Sequence, residues 1–132
     1  MCLRKKHDEP RIARDDIEVW KVLTPKGLSP FQGYQYHPGM NKPAGVKAVS
    51  AKQQYIDGGY LHAFRDREKA HEYTRKEGTF VRVDFEDYVV RRMLIPKGSV
   101  YYEGMDDDIC SSALYWPEEG TAHPNPIKTQ EA

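Results

Sequence analysis

Hydrophobic and polar residues alternate in short runs along this chain, and wherever the period is clear it is close to two. "IEVWKVL" (17–23), "YLHAF" (60–64), "TFVRVDF" (79–85), "YVVRRMLI" (88–95), "SVYYEG" (99–104) and "ICSSALYW" (109–116) each read as a strand. The reason is geometric, since successive side chains of a strand point to opposite faces. In the first run Ile17, Val19 and either Val22 or Leu23 are expected to face a core. "YQYHPG" (34–39) reads as a short aromatic strand ended by Pro38, and "VKAVSA" (46–51) as another short strand. The period changes once, in "DREKAHEYTRKEG" (66–78). There Asp66 is suited to cap a helix, because its carboxylate can accept from the free N–H groups of the first turn. Ala70, Tyr73 and Thr74 form a narrow apolar stripe, Glu72 and Lys76 sit four apart, and Gly78 supplies a stop, which predicts one helix over 66–77.

About seven short strands and one main helix predict an α+β fold, a compact antiparallel-rich sheet domain, and not a parallel βαβ sheet. At 132 residues the chain is expected to be one domain. Residues 1–15 are charge-dense and read as an N-terminal arm, 16–117 as the folded body, and 118–132 as a Pro-rich C-terminal tail. Buried residues are expected to include Val19, Val22, Leu61, Ala70, Tyr73, Val81, Val83, Val90, Leu94 and Leu114.

Composition narrows the function classes. Nine tyrosines within an aromatic content of 11% favour a folded domain despite 30% charged residues. Lys+Arg and Asp+Glu both number 20, so the basic excess of a generic nucleic-acid binder is missing. Cys2 and Cys110 are far apart and match no disulfide or zinc spacing. The opening "MCLRKKHDEP" has no apolar stretch of a signal peptide, and no run approaches the ~20 residues that span a bilayer. A cytoplasmic, reduced setting is expected, and self-association is left open.

Candidate ligand-binding residues fall in three places. Tyr60, His62 and Phe64 share one strand face where a strand hands over to a helix, so His62 is expected to line a cleft rather than the core. Tyr34, Tyr36 and His37, with Phe31, offer flat rings that stack on a base while their polar tips hydrogen-bond. Arg82, Arg91 and Arg92 interrupt apolar strands and offer a fork of donors for phosphate, although such arginines more often mark a solvated face. "MDDD" (105–108) lacks calcium-loop spacing, and "CSS" (110–112) lacks the glycines of a nucleophile elbow. No catalytic residue, metal site or bound cofactor is expected from these patterns.

The runs "VWKVL" (19–23), "GYLHAFRDREKAHEY" (59–73) and "IPKGSVYYEG" (95–104) resemble the pattern of small proteins of phages and gut-type bacteria. More distantly, "LHAFRDREKAHEY" followed by "MLIPKGSVYYEG" is similar to the strand-helix and Pro-Gly strand of the ADP-ribosyltransferase superfamily, which includes the poly-ADP-ribose polymerases. That resemblance implies an ADP-ribosyltransferase-like fold, with NAD or an ADP-ribose-like nucleotide as ligand and His62 near the nicotinamide. The departures are specific. Lys21 stands where the opening strand of the family carries His or Arg, and "ICSSALYW" lacks the catalytic glutamate, with Glu103 and Asp108 off its position. Losing an acid that stabilises charge only in the transition state removes orders of magnitude in rate. The resemblance therefore implies a non-catalytic nucleotide-binding protein, in a phage context an anti-defence protein sequestering a signalling nucleotide. An ADP-ribosyltransferase-like enzyme acting on NAD and a protein-interaction domain without a small ligand remain the alternatives.

Overall fold

The computed structural model of the chain describes residues 3–29, 34–43, 49–56, 59–75 and 88–117. Its elements run β1 (Leu3–Arg4), β2 (Arg11–Ile12), β3 (Ile17–Leu23), β4 (Gly39–Asn41), β5 (Tyr55–Ile56), β6 (Leu61–Phe64), α1 (Arg67–Arg75), β7 (Val89–Ile95), β8 (Val100–Glu103), β9 (Asp108–Ser111) and β10 (Leu114–Trp116). Eight strands form one sheet in the order β2-β8-β9-β6-β3-β7-β10-β4, and β1 and β5 form a separate pair. Every registered pairing is antiparallel, so the expected α+β, antiparallel-rich architecture holds among the described residues.

The longest pairing sets the register. β3 and β7 match over seven residues, from Ile17↔Ile95 to Leu23↔Val89. On the inner face Val19, Leu23, Leu61, Ala63, Met93, Ile95, Ile109 and Leu114 meet in one cluster with Tyr36. These residues come from five strands and one loop, and together they form the main core. On the opposite face Ala70 of α1 packs against Val22 and Phe64, with Tyr73 5.6 Å from the Phe64 ring. The helix starts where its cap was expected, since Glu68 N donates to Asp66 Oδ1 at 3.0 Å. Further along that face Leu3, Ile56, Tyr60, Tyr102 and Cys110 form a third cluster under the β1–β5 pair.

Four sequence expectations change. Residues 3–12 do not form a free arm: Leu3 is fully buried, β1 pairs with β5, and β2 adds an edge to the main sheet beside β8. "ICSSALYW" is two strands and not one, because the chain breaks at Ser112 and Ala113 and β10 leaves β9 to pair with β7 and β4. "YQYHPG" contributes only an isolated bridge, Leu28↔Gln35, before β4 begins. Tyr73 and Val90 are half-buried rather than buried, while Val19, Val22, Leu61, Ala70, Leu94 and Leu114 are buried. Val81, Val83, the run 79–85, most of "VKAVSA" and the tail 118–132 lie outside the described residues.

Candidate functional site

The sheet is thinly paired between β3 and β6. β6 pairs with β9 over all four of its residues, but it meets β3 at one registered pair, Trp20↔Phe64. Beyond that pair the ladder lapses, and a backbone carbonyl that loses its ladder partner needs another donor. The His62 carbonyl finds one in the Lys21 ammonium, which donates to it at 2.6 Å. A cavity of about 110 Å³ lies at this parting. Lys21 and Val22 of β3, Gly59 to Phe64 around β6, Tyr73 of α1, and Ser29, Tyr34, Tyr36 and Pro43 of the loops line it.

The aromatic wall is held by local turns. Gly27 adopts φ +86°, a conformation that favours glycine, and its carbonyl accepts from Tyr36 N at 2.9 Å. A Cβ at Gly27 would stand 2.9 Å from Gln35 Nε2 and 3.0 Å from the Tyr36 carbonyl oxygen. Ser29 Oγ accepts from Tyr34 N, and the Tyr34 hydroxyl donates to the Lys42 carbonyl, both at 3.0 Å. The Tyr34 and Tyr36 rings then meet edge to face at 4.7 Å. Tyr36 reaches the core, and burial, with Tyr34 beside it, pushes its hydroxyl pKa well up.

His62 is both a core residue and a cavity residue, so the expected contrast of cleft against core does not apply. Only 7% of it is exposed, and neither ring nitrogen has a hydrogen-bond partner among the described residues. Burial, with the Lys21 charge next, lowers its pKa from 6.5 to about 3, so the ring is neutral at ordinary pH. All of β6 is buried because α1 covers one face and the Tyr36 loop with the main core covers the other.

The structure brings Tyr34, Tyr36, Tyr60 and His62 to the one cavity and leaves the other candidates elsewhere. His37 is exposed and serves through its backbone, whose N–H and C=O bond the Asn41 side chain. The Arg91 guanidinium lies 5.4 Å from the Trp116 ring, and Arg92 pairs with Glu18 across β3 and β7. Neither arginine lines the cavity, and Arg82 lies outside the described residues. The "CSS" run offers no exposed nucleophile. Cys110 is fully buried with its thiol pushed up to about 12 by burial, and Ser111 Oγ donates to the Ala113 carbonyl at 2.6 Å. Asp108 is buried at the start of β9, and no group of three metal-ligating side chains forms among the described residues.

Lys21, noted from the sequence only as a departure from the resembled family's His or Arg, was not among the candidate ligand-binding residues. It is 8% exposed, and its ammonium lies 5.0 Å from the centre of the Tyr36 ring. No carboxylate pairs with it among the described residues, and burial lowers its pKa from 10.5 to about 7. The signal was its parity, since in a period-two strand Lys21 shares the inward face with Val19 and Leu23.

The site therefore offers flat rings, a neutral imidazole with spare hydrogen-bonding capacity and an amine that gains or loses a proton near neutrality. Compared with protein-family models, with curated proteins and with solved structures, the chain matches none. No described helix is long and apolar enough to cross a membrane.

Proposed function

We propose that this chain is a non-catalytic binding protein that holds a small nucleotide by taking the edge of its flat ring into the cavity between β3 and β6. The observation that carries this reading is His62, a cavity-lining residue whose two ring nitrogens are buried without a partner among the described residues. A buried polar group left unpaired costs about 1–3 kcal/mol, and a ligand that supplies the missing partner recovers that energy. A neutral imidazole has one donor and one acceptor, which suits the edge of a base or a carboxamide. Tyr34, Tyr36 and Tyr60 add ring faces of the kind on which bases stack.

Size defines which part enters. An apolar cavity of about 150 Å³ accommodates benzene, so about 110 Å³ admits at most the edge of one small ring, with ribose and phosphates left outside. Sequestration, not turnover, fits the charges. The cavity lining includes no carboxylate among the described residues, and Glu103 is engaged by Arg11 at 3.3 Å and Arg65 at 3.0 Å. In the phage-like context suggested by the sequence, the ligand is a host signalling nucleotide.

Thermal unfolding with NAD, ADP-ribose and cyclic nucleotides tests the reading. A ligand at 100 times its Kd adds about 2.7 kcal/mol of stability, which moves the Tm by several degrees. Stabilisation by one of them that is lost in Tyr36→Leu supports the reading. Release of nicotinamide from NAD would replace it with the ADP-ribosyltransferase-like alternative, and a flat response to the whole panel would favour a protein partner.

A further inference from the structure

We propose that Lys21 is a carbonyl-capturing amine, which condenses inside the cavity with a small ring-bearing aldehyde or ketone to form an imine. This inference does not depend on a nucleotide occupying the same space. It starts from where the amine is held. Lys21 lies on the inner face of β3, lines the cavity, and is fixed by one hydrogen bond to the His62 carbonyl at 2.6 Å. The side chain cannot swing freely between solvent and interior as a surface lysine does, so its nitrogen is oriented before any reaction begins.

The surroundings favour the uncharged amine. Tyr34 and Tyr36 of the loops, His62 of β6 and Tyr73 of α1 line the same cavity, and none of these side chains is a carboxylate. Arg91 is its cross-strand partner on β7, and like charges opposite one another in a sheet are destabilising. Burial brings the Lys21 pKa to about 7, which leaves about half its population as free amine at neutral pH. An ordinary lysine holds on the order of a few ten-thousandths of its population in that form. Desolvated lysines of this kind are the ones that act as imine-forming nucleophiles.

The step balances without a further reagent. The Nζ lone pair attacks the carbonyl carbon, and the carbonyl oxygen takes up a proton as the amine nitrogen loses one. The resulting carbinolamine expels its hydroxyl as water when that group is protonated, and a C=N bond to Nζ remains. The Tyr36 ring, 5.0 Å from the nitrogen, would favour the protonated imine through its π face. A cavity of about 110 Å³ limits the partner to one small ring bearing the carbonyl.

The test is site-mapped reductive trapping on the full chain. The protein is incubated near neutral pH with pyridine-3-carboxaldehyde and cyanoborohydride, which reduces an imine to a stable secondary amine, and the adducts are located by peptide mass spectrometry. Lys21 is expected to label at least about tenfold faster than the exposed Lys26, Lys52 and Lys97. Its rate should rise from about pH 6 to pH 8 and level off above, while the exposed lysines continue to accelerate. Lys21→Arg should remove the fast adduct alone. Because the mapping is made on the unaltered chain, the result stands even if that variant fails to fold. Labelling confined to exposed lysines, or Lys21 no faster than Lys26, would overturn the proposal.

Discussion

Replacing Lys21 by methionine should flatten the pH dependence of stability just above neutrality. In the folded chain this amine titrates near 7, against an ordinary value of 10.5, because burial disfavours its charge. Between those two values the unfolded chain binds more protons than the folded one, so stability rises with pH. Each pH unit well inside that window corresponds to about 1.4 kcal/mol, and a step from about pH 7, where the slope is half of that, to about pH 8.5 gives roughly 1.6 kcal/mol. The window is clean on both sides. His62, lowered from 6.5 to about 3, acts below it. Cys110, raised from 9.0 to about 12, contributes stability that is present below 9 and is lost only above it. Methionine fills a similar volume and binds no proton, so the variant should keep the fold and lose the slope. Urea titrations followed by the fluorescence of Trp20 and Trp116, at the two pH values for both proteins, measure the difference directly. If the two proteins gain the same stability across the step, Lys21 is charged and hydrated in the folded state and the buried-amine reasoning fails.

Other outcomes follow from the packing. Leu3→Ala should cost about 2–5 kcal/mol in chemical unfolding, because Leu3 is fully buried against Ile56, Tyr60 and Tyr102; an unchanged midpoint would return residues 3–12 to a free arm. Gly104→Ala should destabilise by about 1–3 kcal/mol or more, since a Cβ there would meet Asp108 Oδ1 at 2.0 Å and Leu3 Cγ at 2.8 Å; an unaltered Tm would contradict that close approach. Asp66→Ala should cost about 1 kcal/mol by removing the cap on Glu68 N, and Asp66→Asn should recover most of it in the same assay.

The elements that were legible in the sequence are those whose pattern is local. β3, β7, β8 and α1 follow from period-two alternation or from a cap and stripe, and their boundaries agree with expectation to within a few residues. Non-local pairing was not legible. Leu3 and Ile12 sit in a charge-dense stretch, and only partners some 50 and 90 residues away turn them into strands. The break at Ser112 was hidden because "ICSSALYW" keeps apolar residues on both sides of a small polar pair that can continue a strand or end one. At the site, Tyr34, Tyr36, Tyr60 and His62 were legible because aromatic residues and histidine are conspicuous in apolar runs. Arg91 and Arg92 lie away from the cavity, as arginines in an alternating strand often do; Trp116 and Glu18 are their neighbours here. Lys21 was named only as a departure from the His or Arg of the resembled family, and a lysine in an alternating strand ordinarily reaches solvent. Only the parting of β3 from β6 explains why its amine turns instead to the His62 carbonyl.

The central claim is that the parting of β3 from β6 receives a nucleotide ring against His62. The most direct measurement is an NMR titration of isotope-labelled histidine side chains with NAD, ADP-ribose and cyclic nucleotides, with His62 assigned by loss of its signals in His62→Gln. The His62 ring resonances are expected to shift saturably with one of these ligands while exposed His37 stays in place. His62 signals that remain unmoved by every nucleotide, or shifts confined to His37, would contradict it.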